Sequence, residues 1–140
     1  MVRQESTSIL NELYPSDPKK RKDIIEALCK TITSSGIDLE ITAEELYLSL
    51  DEAITNAMEH GNRWDPRKSI RVTVTADRDN MRISIADEGR GFDTGSIKAA
   101  LKKRDVLSNR GRGIYIINQF SKISWNESGS QITLIISRKK

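Results

Sequence analysis

Two runs of alternating apolar residues, joined by a short polar turn, constrain the fold of this chain more than any other feature. Residues 69 to 76 and 81 to 85 each place an apolar side chain at every second position. That period of two is typical of a strand with one buried face. The segment between them, Asp-Arg-Asp-Asn at 77 to 80, consists of turn-forming residues. The two runs are therefore predicted to form a β-hairpin packed against a core.

Amphipathic helices are predicted on both sides of this hairpin. Residues 19 to 34 carry apolar side chains at helical spacing and end at Gly36. A second helix begins near Thr42, where Glu45 completes a capping box, and ends with Gly61 as a C-cap. A third covers residues 112 to 120, and further strands are expected at 2 to 10, 123 to 126 and 131 to 137, with a turn at 14 to 18. The prediction is a two-layer α/β (α+β) sandwich, a mainly antiparallel mixed sheet with helices on one face.

Length and composition exclude several classes of protein. The 140 residues, with a net charge of +3, predict a single domain over residues 1 to 140. Short basic clusters at 19 to 22, 102 to 104 and 138 to 140 are interpreted as solvated surface in preference to a nucleic-acid site. The single cysteine, Cys29, excludes an internal disulfide, and one Cys with one His excludes a zinc-type cluster. Without a signal-peptide pattern or a membrane-spanning run, a cytoplasmic location is expected.

Glu52 and Asn56 lie one turn apart on the polar side of the second helix. Most polar stripes are solvated faces, so the pair alone favours no function. An amide oxygen is nevertheless a ligand that Mg²⁺ accepts, and a carboxylate one turn away can take a proton from a hydroxyl. Asp51 lies about 100° round the helix from Glu52 and is the weaker candidate. His60, near the helix end, either orients a phosphate or caps the helix.

A loop rich in glycine and charge follows the second hairpin strand. Asp87 stands just past the strand, and Gly89 and Gly91 allow positive φ and close approach to a ligand. A carboxylate at a strand end can accept a hydrogen bond from the exocyclic amine of adenine. A surface turn has a similar composition, but Phe92 beside Gly91 is unusual in an exposed turn. The residues favour a binding loop.

The stretch Arg-Gly-Arg-Gly at 110 to 113 precedes the third predicted helix. Gly111 and Gly113 would expose backbone N–H groups at the helix N-terminus, where the dipole favours anions. Arg110 and Arg112 add positive charge for a polyphosphate. Residues 95 to 109, with a short helical piece near 97 to 103, are expected to form a lid over the phosphates.

In this order, the three stretches resemble the N, G1 and G2 boxes of the GHKL (Bergerat-fold) ATPase/kinase superfamily. The matching segments read EAITN ending at HG, DEGRGFD, and GRGI. The short glycine pattern of the third is most similar to that of the stand-alone anti-sigma-factor serine/threonine-protein kinases. The resemblance covers roughly residues 40 to 137. The sequence lacks the dimerisation helices and phosphorylatable histidine box of a sensor histidine kinase.

The resemblance implies a kinase that uses ATP and Mg²⁺ and acts as an anti-sigma factor. It would phosphorylate a Ser or Thr of an anti-anti-sigma (STAS-type) protein, bind a sigma factor, and form a homodimer. It implies that Asn56 binds magnesium, that Glu52 is the catalytic base, and that Asp87 reads the adenine amine. The nucleotide-binding positions carried over are Asn56, His60, Asp87, Gly89, Gly91, Phe92, Arg110, Gly111, Arg112 and Gly113.

Three other functions stay open at this point. The chain could be a non-catalytic ATP-binding anti-sigma or adaptor module that sequesters its partner, although Glu52 argues mildly against this. A stand-alone ATPase would lose ATP slowly without a protein acceptor. A nucleic-acid-binding protein would show strong salt-dependent DNA binding without ATP. No direct nucleic-acid partner and no membrane partner are expected.

Overall fold

The computed structural model describes residues 5 to 89 and 109 to 140, with side chains from Gly113 onward in the second range. Within these residues an antiparallel sheet of five strands packs against three α-helices. The strands are β1 (Thr7–Pro15), β2 (Ser69–Ala76), β3 (Asn80–Ala86), β4 (Lys122–Trp125) and β5 (Gln131–Ser137). The helices are α1 (Arg21–Ser34), α2 (Ala43–Asn56) and α3 (Asn109–Phe120).

The strand order in the sheet is β1-β2-β3-β5-β4, and every neighbouring pair is antiparallel. The predicted hairpin is confirmed, with Val74 opposite Ile83 in the β2–β3 register. Because β5 pairs with β3, the end of β3 lies beside the start of β5. The backbone N–H of Asp87 donates to the carbonyl of Ser130 at 2.9 Å, which extends this pairing by one bond.

One face of the sheet and the apolar stripes of the helices form the core, as the alternation predicted. The fully buried side chains come from both layers and include Ile25, Leu28, Leu50, Ile54, Ile70, Ile83, Ile117 and Leu134. The opposite face carries small polar side chains such as Thr73, Ser84 and Thr133. Helices on one face of an antiparallel sheet confirm the expected two-layer arrangement.

The termini of the first two helices follow the sequence signals closely. Thr42 Oγ1 accepts from the Glu45 N–H at 3.1 Å, and the Glu45 carboxylate accepts from the Thr42 N–H at 2.8 Å. This is the predicted capping box. Helix α1 ends at Ser34, and Gly36 beyond it has a φ of 79°. In the described part of the chain, no helix combines the length and apolarity needed to cross a membrane.

Three sequence-based boundaries were wrong. The first strand was placed at residues 2 to 10 but covers Thr7–Pro15, because it continues its pairing with β2 as far as Pro15 opposite Ser69. Proline is tolerated there because β1 is an edge strand, and the turn that follows is closed by the Lys20 N–H, which donates to the Asp17 carbonyl at 3.0 Å. Helix α3 begins at Asn109 instead of residue 112. Gly61 is not a positive-φ C-cap, because the chain continues past α2 in a different helical form.

Candidate functional site

Helix α2 ends in a π-helical turn that shapes one wall of the candidate site. Glu52 and Asn56, both half-buried, occupy the last turns of α2, and residues Ala57–Gly61 continue as the π-helical turn. The chain then reverses through Arg63 and Trp64, whose φ values are 53° and 56°. Short π segments are rare and often accompany functional sites. Positive φ at a residue as bulky as tryptophan is a genuine exception.

Glycines at 61 and 89 let the α2 terminus approach the Asp87 loop. A Cβ on Gly61 would overlap the Asp87 carboxyl group and lie 2.7 Å from the Asp87 Cβ. A Cβ on Gly89 would overlap the Gly61 carbonyl oxygen and lie 3.0 Å from Asp87 Oδ1. Neither glycine has a positive φ. Both positions therefore require glycine for close approach, and the positive φ that glycine would allow is not adopted at Gly89.

Gly113 brings α3 against the polar side of α2. A Cβ on Gly113 would lie 2.6 Å from Glu52 Oε2 and 3.3 Å from Asn56 Nδ2. Because α3 begins at Asn109, Gly113 is its fifth residue, and its N–H is bonded within the helix. Gly113 therefore lies within the helix and not before it, and its predicted role in phosphate binding stays a prediction. Its place in the structure is explained by tight helix–helix packing.

Several predicted site residues fall outside the described part of the chain. Gly91 and Phe92 lie there, as does the expected lid over residues 95 to 109 apart from Asn109, which is the first residue of α3. Gly111 lies in the first turn of α3, where backbone N–H groups lack intrahelical acceptors. The side chains of Arg110 and Arg112 are outside the described set, so their proximity to phosphate stays a prediction.

A cavity between α2, β3, α3 and the β4–β5 hairpin joins two of the predicted positions. Asn56 and Asp87 line it together with apolar or small residues: Ala53, Ala57, Ile85, Ile114, Trp125, Gly129, Ser130 and Ile132. An apolar cleft with a few convergent polar groups is the usual form of a small-molecule site. The carboxylate of Asp87 is oriented by the Gly89 N–H, which donates to Oδ1 at 2.8 Å.

The Asn56 amide carries a specific sign of a ligand position. Its Nδ2 atom is buried and has no hydrogen-bond partner among the described residues. Buried polar atoms are nearly always hydrogen-bonded, so an exception calls for an explanation such as a bound group. Asn56 lines the same cavity as Asp87, and its Nδ2 lies close to Gly113, as does Glu52 Oε2.

Two neighbouring candidates are not part of this cavity lining. Asp51 forms an ion pair with Arg21 of α1, and Arg21 also lies 3.3 Å from the Thr55 hydroxyl. The Asp51 carboxylate therefore joins α1 to α2. This structural role agrees with the prediction that Asp51 is a weaker candidate than Glu52 for the base. His60 lies half-buried within the π-helical turn, and it is not among the residues that line the cavity.

Sequence reasoning missed the wall that the β4–β5 hairpin supplies. Trp125 and Ser130 line the cavity, but each occupies an unremarkable position along the chain, at a strand end and in a turn. The usable signal was the sheet order. Once β5 pairs with β3, the turn before β5 must meet the loop after β3, where Asp87 stands.

The family model for the histidine kinase-like ATPase domain matches residues 14 to 136. The chain belongs to the histidine kinase-like ATPase domain family. Among individual proteins it is similar to serine-protein kinase RsbW of Bacillus subtilis (strain 168), with 25% identity over 101 residues, 68% of this chain and 63% of that protein.

Two further relatives carry the same name. The serine-protein kinase RsbW of Bacillus cereus (strain B4264) is 30% identical over 81 residues, 54% of this chain and 50% of that protein. That of Bacillus licheniformis is 30% identical over 80 residues, 53% of this chain and 50% of that protein. The chain thus spans between half and somewhat under two-thirds of the length of these relatives.

Proposed function

We propose that this member of the histidine kinase-like ATPase family is an ATP-dependent serine/threonine-protein kinase that acts as an anti-sigma factor. Its acceptor would be a Ser or Thr hydroxyl of an anti-anti-sigma (STAS-type) protein. The observation that carries the proposal is the cavity that Asn56 and Asp87 line together, where the buried Asn56 Nδ2 atom lacks a partner in the described residues. Glu52 does not line this cavity, but its Oε2 lies close to Gly113, as does Asn56 Nδ2. The printed names of the relatives, serine-protein kinases, support the same reaction class.

The apolar part of the cavity would receive the adenine ring. Ile85, Ile114 and Ile132 present aliphatic surface for a flat ring, and Asp87 supplies a carboxylate that can accept from the exocyclic amine. Guanine carries a carbonyl at that position, which would face the carboxylate oxygens without a proton between them. The expected preference is therefore ATP over GTP.

The phosphate end would lie toward α2 and the N-terminus of α3. The unpaired Asn56 Nδ2 is an N–H donor, which suits a phosphate oxygen. The Asn56 Oδ1 atom would be the ligand for Mg²⁺, since magnesium takes oxygen ligands and usually keeps water and substrate phosphates for the rest. Bound there, the ion would neutralise charge on the polyphosphate. The first turn of α3, which contains Gly111, would supply N–H groups to the phosphates, with Arg110 and Arg112 as added positive charge.

Glu52 would act as the general base of the transfer. Its carboxylate would take the proton from the acceptor hydroxyl while that oxygen bonds to the γ-phosphorus and the bond to the bridging oxygen of ADP breaks. A positioned base of this kind contributes about 10²- to 10⁴-fold to rate. The contact of Glu52 with Gly113 would hold the carboxylate on the side of α2 that faces α3.

The remaining parts of the proposal concern the whole protein. We infer a single domain over residues 1 to 140, a homodimer, a cytoplasmic location, and alternative binding of a sigma factor and the anti-anti-sigma protein. The family model, which matches residues 14 to 136, supports the single domain; the dimer, the location and the two partners are carried by the resemblance to the anti-sigma-factor kinases alone.

The test uses γ-labelled ATP, Mg²⁺, this protein and each candidate anti-anti-sigma protein of the same genome. Label on a partner Ser or Thr supports the kinase. Bound ATP and a stable complex with a sigma factor, without label on any partner, would instead make the protein a non-catalytic anti-sigma module. Loss of ATP without an acceptor would indicate an ATPase.

A further inference from the structure

Asn62 is buried completely and lies just beyond the π-helical turn, between the scaffold and the Asp87 loop. Its amide Nδ2 donates to the Ser16 hydroxyl at 2.6 Å and to the Ser69 carbonyl at 3.0 Å. Its Oδ1 accepts from the backbone N–H of Glu88 at 2.8 Å. Both ends of one buried amide are therefore engaged, one toward the start of β2 and one toward the residue after Asp87.

The contact with Glu88 fixes the backbone on which Asp87 stands. The Asp87 N–H is already held by the Ser130 carbonyl at 2.9 Å. The next peptide N–H, that of Glu88, is held by Asn62. With both N–H groups bonded to buried or sheet-paired acceptors, the Asp87 Cα–Cβ bond has a defined direction, and the carboxylate meets Gly61.

The Glu88 side chain also bonds to the start of β2. The Glu88 carboxylate accepts from the Ser69 N–H at 2.5 Å, while the Ser69 carbonyl accepts from Asn62. Asn62, Glu88 and Ser69 thus form a ring of three hydrogen bonds that ties the loop after β3 to the start of β2. The Asn62 amide in this ring is buried and is hydrogen-bonded through both its nitrogen and its oxygen, which favours one arrangement of the backbone around it.

We propose that Asn62 is the positioning residue that sets the Asp87 carboxylate for adenine recognition. The inference rests on the proposed function, since it assumes that Asp87 reads adenine. It adds that nucleobase selectivity depends on a residue that does not line the cavity and acts only through the Glu88 peptide. A misplaced Asp87 carboxylate would lose its hydrogen bond to the adenine amine, and a bond to a charged group is worth about 10- to 100-fold in affinity.

The test compares the dissociation constants of ATP and GTP for wild type, Asn62→Ala and Ser16→Ala, by calorimetry on the full chain. Asn62→Ala should weaken ATP about 10- to 100-fold and GTP much less, so the selectivity ratio falls by a similar factor. Ser16→Ala is the matched control: it removes a hydrogen bond from the same amide on the scaffold side only. It should lower the melting temperature and leave the ratio within about twofold.

The outcomes separate the inference from the function it rests on. A wild-type protein that binds no ATP overturns the proposed function and this inference with it. Normal ATP binding with an unchanged ATP/GTP ratio in folded Asn62→Ala overturns the inference alone, as does an equal loss of selectivity in Ser16→Ala.

Hydrogen exchange keeps the inference testable if Asn62→Ala fails to fold. In the wild-type protein the Glu88 side chain is exposed, yet its amide should exchange at least about 100-fold more slowly than an unprotected one, because its acceptor is buried. Exchange of the Glu88 amide at the unprotected rate would show that Asn62 does not hold the loop, and the inference would be wrong.

Discussion

Two aspartates flank strand β3: Asp77 stands three residues before its start and Asp87 directly after its end. Their carboxylates differ in what surrounds them. Asp77 is 8% exposed and accepts from the backbone N–H groups of Asp79 and Asn80, each at 2.8 Å. It also forms an ion pair with Arg82. These hydrogen bonds, the one from Arg82 first, lower the pKa of Asp77 to about 2. Both oxygens of the Asp77 carboxylate are therefore bonded by neighbouring residues.

Asp87, at the other end of the strand, lines a cavity instead. Its Oδ1 accepts from the Gly89 N–H, and its carboxyl group contacts Gly61 across the π-helical turn. Nearby, the buried Nδ2 atom of Asn56 has no partner among the described residues. An aspartate in a charged turn is structural when nearby backbone N–H groups and an arginine bond its carboxylate. It can contact a ligand when other segments leave a cavity beside it.

The largest effect should come from Glu52→Gln, which removes the proposed general base on α2. We expect the rate of phosphate transfer to fall about 10²- to 10⁴-fold while ATP binding changes little. Asp51→Asn is the control, because that neighbouring carboxylate is paired with Arg21. It should keep transfer within about threefold. Transfer by Glu52→Gln at the wild-type rate in the labelled-ATP assay would rule out the base role.

Asp87→Asn should weaken ATP binding by about 1.5 to 3 kcal/mol, the worth of a hydrogen bond to a charged group. That corresponds to roughly 10- to 150-fold in the dissociation constant. The substitution keeps the size of the side chain, so a structural loss should be small. Calorimetric titration with ATP measures the change, and an affinity within twofold of wild type would contradict adenine recognition by Asp87.

Gly113→Ala should reduce transfer about tenfold, because the new methyl group must displace the Glu52 carboxylate, which lies 2.6 Å from its position. Gly36→Ala is the matched control. Gly36 has a φ of 79° and open space around a Cβ, so alanine there costs about 1 kcal/mol of stability through backbone strain alone. Equal transfer rates for the two variants would show that α3 does not constrain Glu52.

Asp77→Asn should have the smallest effect on function and a clear effect on stability. It should lower the free energy of unfolding by about 1.5 to 3 kcal/mol and leave ATP affinity unchanged. The folded-state pKa of Asp77 is about 2, below the ordinary value of 3.8. Its contribution is therefore complete above roughly pH 5 and is lost as the pH falls through 3.8 toward 2.

Urea unfolding of wild type and Asp77→Asn between pH 7 and pH 2 checks this prediction. The two stability curves should converge as the pH falls, because protonation removes in wild type what the substitution removes in the variant. Parallel stability curves would contradict the stabilising role of the Asp77 carboxylate. A change of ATP affinity in Asp77→Asn would contradict the view that Asp77 has no part in nucleotide binding.

Local patterns predicted most of the fold. Strands β2 and β5 lie at the predicted residues, the capping box at Thr42 is present, and the chain reverses after α1 at Gly36. These features depend on side-chain periodicity and on residues close in sequence. The first strand and the start of α3 were misplaced because pairing with β2 and packing on α2 decide where those elements begin and end.

The candidate site was predicted in part. Asn56 and Asp87 line one cavity, and each stands at a position that a repeating pattern defines, a helix face or a strand end. Their roles in nucleotide binding stay predictions. The hairpin wall with Trp125 and the support from Asn62 were not predicted. Both arise from contacts between segments far apart in the chain.

The sequence by itself determined the two-layer fold, the family and the polar positions on α2 and after β3, since backbone geometry imposes its period on neighbouring residues. Only the tertiary structure decided why Gly61, Gly89 and Gly113 lack side chains. It also decided that the Asp77 carboxylate is bonded by nearby residues and that Asp87 lines a cavity. Close approach and the satisfaction of buried polar groups depend on which segments meet, and no local pattern carries that information.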